Sequence, residues 1–172
     1  MHNQIDRKFL IEKMPSLFWR RSSIYERYFL QHGDLVEERI QKCGNVYEYE
    51  IRTAISPRER TREKRTITKE EFNHLKKNHK PVIRETYIIS KKNPRITINK
   101  YRGDYKGLVY AEAEFDSVDE AEAFSPPSWM GPEITNCPLG RDSWLLGLDR
   151  EHFLRALDTE MDNLHAHAQS FT

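Results

Sequence analysis

The chain has 172 residues, 37% of them hydrophobic, with 28 Lys and Arg against 27 Asp and Glu and a formal net charge of +1. That is apolar material for one domain with a real core, and the small net charge excludes a protein that coats nucleic acid with a broad positive field. No apolar run approaches the roughly 20 residues of a membrane span, the N-terminus lacks a signal-peptide hydrophobic region, and the two cysteines fit neither a disulfide framework nor a zinc pattern. The expectation is a soluble, cytoplasmic protein in a reducing compartment, rich in ion pairs.

Gln4–Ile11 reads as a strand with Gln4, Asp6 and Lys8 on one face and Ile5, Phe9 and Ile11 on the other. Further strands are predicted at Arg27–Gln31, Leu35–Lys42, Val46–Thr53, Arg60–Ile67, Val82–Ser90, Arg95–Tyr101 and Leu108–Phe115. Cys43 precedes Gly44 and Asn45 in a hairpin turn, with nothing nearby to activate it as a nucleophile. The charge run Ala54–Arg65 reads as a solvated loop entering a strand. Thr68 with Glu71, and Ser117 with Glu120, have the form of capping boxes, and Pro126 and Pro127 stop the second helix. A last helix is predicted over Arg150–Ala168, where Phe153, Leu157, Met161 and Leu164 form an apolar stripe for the domain surface or for a second copy. His165 and His167, two apart on that helix, point in different directions and read as a polar helix end rather than a metal site. Trp19, Trp129 and Trp144 lie in separate segments and read as packing residues.

Three stretches carry a more specific signal. "QIDRKFLI" looks like an N-terminal Glu-x-Glu-x-Lys strand, "YRGDYKGLVYAEAEF" like a late strand bearing Glu-x-Glu, and "PPSWMGPEIT" like a Pro-x-Trp-x-Gly-x-Glu-Val-Thr segment. With "VIRETY" they resemble the CYTH family, the triphosphate tunnel metalloenzymes, which includes triphosphatases, thiamine triphosphatase-like proteins and class IV adenylate cyclases. The resemblance spans about Gln4 to Leu146, so residues 1–148 form the expected tunnel domain and 149–172 its C-terminal helical extension. It implies an α+β fold: an eight-stranded antiparallel β-barrel open as a tunnel, with helices outside. The alternation of Glu112 and Glu114 with Val109, Ala111, Ala113 and Phe115 agrees with a polar lumen and a packed exterior.

The resemblance also implies Mg or Mn on lumenal carboxylates and a triphosphate on lumenal Lys and Arg. Hard divalent cations take carboxylate and water oxygens, whereas polyphosphate takes guanidinium and ammonium donors. Carried over by position, Lys8, Arg39 and Arg52 are the expected phosphate contacts and Asp6, Glu112 and Glu114 the expected metal contacts; no residue is assigned as catalytic. Elsewhere the chain departs from the pattern. Gln4 replaces a Glu, Glu37 an Arg, Arg62 and Lys64 a pair of Glu, Glu85 and Tyr87 a Lys and an Arg, and Thr97 and Asn99 acidic residues. Reversals in both directions predict a lumen that pairs its own charges and has less need of ligand. A one-residue slip would instead bring Glu63 or Arg84 inward. The expected function is binding of a phosphorylated anion or a partner with little or no triphosphatase turnover. The alternative is a Mg- or Mn-dependent triphosphatase acting on inorganic, nucleoside or thiamine triphosphate, and an adenylate cyclase would need base recognition that the sequence does not show. The expected partners are a triphosphate-containing small molecule or another anion, with no nucleic acid and no membrane, and the last helix could support a homodimer.

Overall fold

Eight strands, β1 (His2–Leu10), β2 (Ser22–His32), β3 (Val36–Cys43), β4 (Val46–Ala54), β5 (Glu59–Thr66), β6 (Pro81–Ser90), β7 (Arg95–Tyr101) and β8 (Val109–Phe115), close into an antiparallel barrel in the order β1-β5-β4-β3-β2-β6-β7-β8. The computed structural model describes residues 2–17, 20–56 and 58–169, without the side chains of His2, Leu164 and residues 167–169. Trp19 and the side chains of Leu164 and His167 therefore lie outside the described residues. β2 begins well before the predicted Arg27, and only 55–56 and 58 of the charge run form a loop, since β5 already starts at Glu59.

Helices α1 (Lys69–Leu75) and α2 (Val118–Ala123) begin at the expected caps: Thr68 Oγ1 accepts the Glu71 amide at 3.0 Å and Ser117 Oγ the Glu120 amide at 3.1 Å. α1 buries Phe72 against Tyr28, Ile40 and Ile67, and α2 buries Ala121 against Ile5, Ala113 and Phe115. The small side chains Ala111 and Ala113 are fully buried on the outer face of β8, where a larger residue would hold the covering segments off.

The largest apolar cluster lies across one end of the barrel. Leu10, Phe29, Val82, Tyr101 and Tyr110 share the inward alternation of their strands and meet Ile134, Leu139 and Leu145 from the segment between α2 and the last helix. A 3-10 turn at Pro138–Gly140 and the short α3 (Asp142–Leu145) carry that segment over the mouth. The implied open tunnel is thus a cup, because inward residues change from charged to apolar toward one end. α4 (Arg150–Gln169) lays the fully buried Phe153 into the same cluster, with Leu157 and Met161 beside it, so the apolar stripe serves its own barrel. Among the described residues no helix is long and apolar enough to cross a membrane.

Candidate polyanion-binding site

The open part of the lumen is a cavity of about 330 Å³ lined by ten Lys or Arg and only six Asp or Glu. The whole chain carries a net charge of +1, so cationic excess is concentrated inside the barrel.

One wall neutralises itself. On β3 and β4, Arg39 and Glu50 are register partners, as are Glu37 and Arg52. Arg39 lies 2.8 Å from Glu50, Arg52 lies 3.4 Å from Glu50 and 3.7 Å from Glu37, and on β5 Lys64 reaches Glu48 at 3.2 Å. Burial pushes the Glu50 carboxyl up, but Arg39 and Arg52 overcome it and hold it at about 2.

The facing wall does not. Lys8 donates from Nζ to the Gly140 carbonyl at 2.8 Å, and Arg84 from Nη1 to the Tyr110 hydroxyl at 3.0 Å. Arg60, Arg62 and Arg95 also line the cavity, and among the described residues none of these five cations has a carboxylate within 4.0 Å. The Nε atoms of Arg60 and Arg84 are buried without a partner. An uncompensated charge in a partly dry lumen costs several kcal/mol, so such a wall calls for an anion.

Its carboxylates are crowded. Asp6 pairs with Glu114, and Lys8 with Glu112, across β1 and β8. The Gln4 amide donates to Asp6 Oδ2 at 3.2 Å and to Glu112 Oε1 at 3.4 Å, while its carbonyl accepts from Arg52 at 2.8 Å. Asp6 Oδ1 is buried without a partner. Burial raises Asp6 and Glu114, each also raised by Glu112, whereas Glu112 itself is held at about 2 against burial by Lys8, Arg84 and Arg52.

The floor of the cup holds an internal anion. Asp142 accepts from Arg27 at 3.1 Å and from the Tyr101 hydroxyl, which lies 3.2 Å from the Tyr110 hydroxyl and so connects to Arg84. Burial would lift Asp142, yet Arg84 and Arg27 hold it far below the usual carboxylate range. Burial and the neighbouring Arg39 and Arg84 lower Arg27 to about 10. The closing segment is fastened by the "PPSWMGPEIT" stretch: Glu133 receives two bonds from Arg7 at 2.8 and 2.9 Å, Thr135 Oγ1 accepts the Lys8 amide at 3.0 Å, and the Ile134 amide donates to the Lys8 carbonyl at 2.8 Å. Gly140 admits no side chain, because a Cβ there would stand 2.6 Å from the Ile134 carbonyl oxygen and 3.5 Å from Lys8 Cδ. This stretch builds the site without entering it.

The expected phosphate contacts Lys8, Arg39 and Arg52 and the expected metal contacts Glu112 and Glu114 line the cavity, and Asp6 is buried between Gln4 and Lys8 on the same face of β1. Glu37, Arg62, Lys64 and Thr97 also face inward as predicted. Glu85 and Tyr87 do not: Glu85 bonds Ser22 Oγ at 2.6 Å and Arg102 at 2.7 Å outside the barrel, and Arg84 and Thr86 take the inward positions. The register follows Val82, fully buried in the floor, which fixes the even-numbered residues of β6 inward. With a base restored on β6, the expectation of a lumen paired throughout is overturned. Arg27, Glu50, Arg60, Arg95 and Asp142 were not singled out from sequence. Glu50 could have been found from its place two residues before Arg52 on one strand face; Asp142, which opens the four-residue α3, carried no periodic signal.

The remaining candidates stay outside the chemistry. Cys43 lines the cavity, and Cys137 meets Glu160 at 3.4 Å with its thiol pushed up by burial. His165 contacts Glu12 at 2.6 Å. Trp129 packs against the Phe9 cluster, but Trp144, expected to pack, is 37% exposed on a groove beside His32 and Asp34.

Among the described residues no three His, Cys, Asp or Glu side chains gather as a metal cage. A small divalent ion can be held by one or two carboxylates when phosphate oxygens and water complete its octahedron. Asp6, with its unpartnered oxygen, and Glu114 offer that minimum.

No protein-family model matches the chain. The inorganic triphosphatase of Nitrosomonas europaea is 26% identical over 151 residues, covering 77% of this chain and 89% of that protein. A crystal structure of an inorganic triphosphatase superposes with a TM-score of 0.61 at 25% identity, over 85% of this chain and 95% of the other. A protein from Pyrococcus furiosus shares the fold at 15% identity and a TM-score of 0.53, over 87% of this chain and 93% of the other. The fold shared with these proteins is a closed eight-stranded antiparallel barrel, here with a cationic lumen and helices packed outside. The relative and the superposition make the chain similar in sequence and in fold to inorganic triphosphatases, in agreement with the resemblance carried by its motifs.

Proposed function

We propose that this barrel binds a linear triphosphate in its lumen and turns it over little or not at all. The observation that carries the reading is the cationic excess of the lumen in a chain of almost no net charge. Arg39, Arg52 and Lys8 supply donors to phosphoryl oxygens, and the Asp142 network holds Arg27 and Arg84 at the floor. Asp6, Glu112 and Glu114 are the residues that would hold Mg or Mn. A divalent ion there would polarise a phosphoryl oxygen and steady the developing charge of hydrolysis. Gln4 contributes no charge to that set, and Arg62 and Lys64 add cations to the lumen. That is the reason to expect weak turnover.

A second reading, a metal-dependent triphosphatase, is favoured by the unpartnered Asp6 oxygen and by the raised Asp6 and Glu114 carboxyls, which gain most from a cation. In both readings inorganic triphosphate suits the cup better than a nucleoside or thiamine triphosphate. Tyr25 and Tyr110 are the aromatic residues on the lining, and Tyr110 is fully buried in the floor, so no pair of faces brackets a base. The two free thiols support a reducing, cytoplasmic setting.

Phosphate release from inorganic triphosphate, ATP and thiamine triphosphate with Mg or Mn, beside Lys8→Ala and Glu114→Ala, tests the reading. Binding with almost no release is expected. Turnover abolished by both substitutions would establish the triphosphatase instead.

A further inference from the structure

Three guanidinium groups of the lumen are uncommitted. Arg60 and Arg62 on β5 and Arg95 on β7 line the cavity, and among the described residues none has a carboxylate within 4.0 Å. Arg60 also buries its Nε without a partner. The register sets them on both sides of the β1–β8 pair: Arg60 is opposite Gln4, Arg62 opposite His2, and Arg95 opposite Glu114. Fixed positive charge therefore already flanks Asp6 and Glu114, the place where a divalent ion would sit.

We infer that Arg60, Arg62 and Arg95 form a phosphate-binding row that holds inorganic triphosphate with no divalent ion, an inference resting on the reading that this lumen takes triphosphate. A guanidinium presents a planar fork of donors that matches two phosphoryl oxygens at once, so three of them can satisfy the charge and the oxygens that a metal would otherwise meet. The arginines have no better use within the fold. The β3–β4 wall has its own counter-ions, and among the described residues Asp6 and Glu114 lie beyond 4.0 Å of the nitrogens of all three arginines. The row also explains why bases can stand on β5 without carboxylate partners: the ligand supplies them.

Isothermal titration of the protein with inorganic triphosphate, once in EDTA and once with excess Mg, tests this in wild type and in Arg62→Gln/Arg95→Gln. The row predicts a Kd in EDTA within about threefold of that in Mg, and a loss of about tenfold in EDTA for the double variant, the scale of a charge-assisted hydrogen bond. Should the double variant not fold, Arg62→Lys, which keeps the charge and loses the fork, is expected to weaken binding in EDTA about threefold. Binding that requires Mg, or binding in EDTA that these substitutions leave unchanged, overturns the row while keeping the triphosphate reading. Absence of binding in both buffers overturns the two together.

Discussion

The β3–β4 wall and the wall formed by β6, β7, β8, β1 and β5 follow the same strand alternation and treat charge in opposite ways. On the first, register sets acid against base, with Arg39 facing Glu50 and Glu37 facing Arg52. On the second it sets like beside like at Asp6 and Glu114, and five cations find no carboxylate partner among the described residues. Alternation decides which residues face inward; cross-strand partners decide whether the inward charge is spent on the fold or left for a ligand. One wall is scaffold, and the other keeps charge that the fold does not pair.

The largest test of that division is Glu50→Gln. It strands Arg39 in the interior, leaves Arg52 with Glu37 alone, and should cost about 3–5 kcal/mol in urea unfolding; a loss below about 1 kcal/mol would show that the wall is not held by these pairs. Asp142→Asn should cost less, about 2 kcal/mol, because a hydrogen-bonding group remains at the floor. The same variant should bind triphosphate more tightly by titration, since an internal anion has been removed; weaker binding would mean that Asp142 is needed to position Arg27 and Arg84.

Acid should separate the carboxylates held down by cations from those raised by burial. Glu50 and Glu112 are held at about 2, below the ordinary 4.5, and Asp142 is held lower still, so their contribution is complete above about pH 4.5 and is lost as pH falls from there toward 2. Asp6 and Glu114 are raised and work in reverse: their burial as anions disfavours the fold at neutral pH, and protonating them relieves it on mild acidification. The urea midpoint should therefore rise on acidification toward about pH 4.5 and fall steeply below it; a midpoint that only falls as the pH is lowered would contradict the raised pair. The smallest effect is expected at Lys64→Ala. Its bridge to Glu48 is about a third exposed, and the change in stability should stay within about 1 kcal/mol.

Much of this was legible from sequence wherever a periodic pattern carried it. All eight strands, both capped helices and the inward faces of β1, β3, β5 and β8 follow from alternation and caps. β6 failed because "VIRETY" offers hydrophobic residues in both phases, and the deciding contact, Val82 against Ile134 and Leu139, comes from a segment far along the chain. The closed floor was hidden for a related reason. Leu10, Phe29 and Tyr110 keep the lumenal phase while changing chemistry, and only the three-dimensional course of Pro138–Leu145 shows what they meet. The candidate phosphate and metal contacts lie on the lumenal face that alternation predicts, but their pairing depends on neighbours whose register no single strand encodes.

The seam at β1 has a consequence for how the protein is made. The first strand pairs with β8, Ile5 beside Phe115, and its far half is then sealed by the Ile134 amide on Lys8 and the Gly131 amide on Leu10. During synthesis the earliest strand leaves the ribosome with both edges bare and cannot be completed until more than a hundred further residues have followed. Such long-range closure is slow and leaves an edge available for wrong pairing. A nascent chain stalled before Ile134 should therefore remain open to protease, and release beyond Leu145 should be the point at which the barrel becomes resistant.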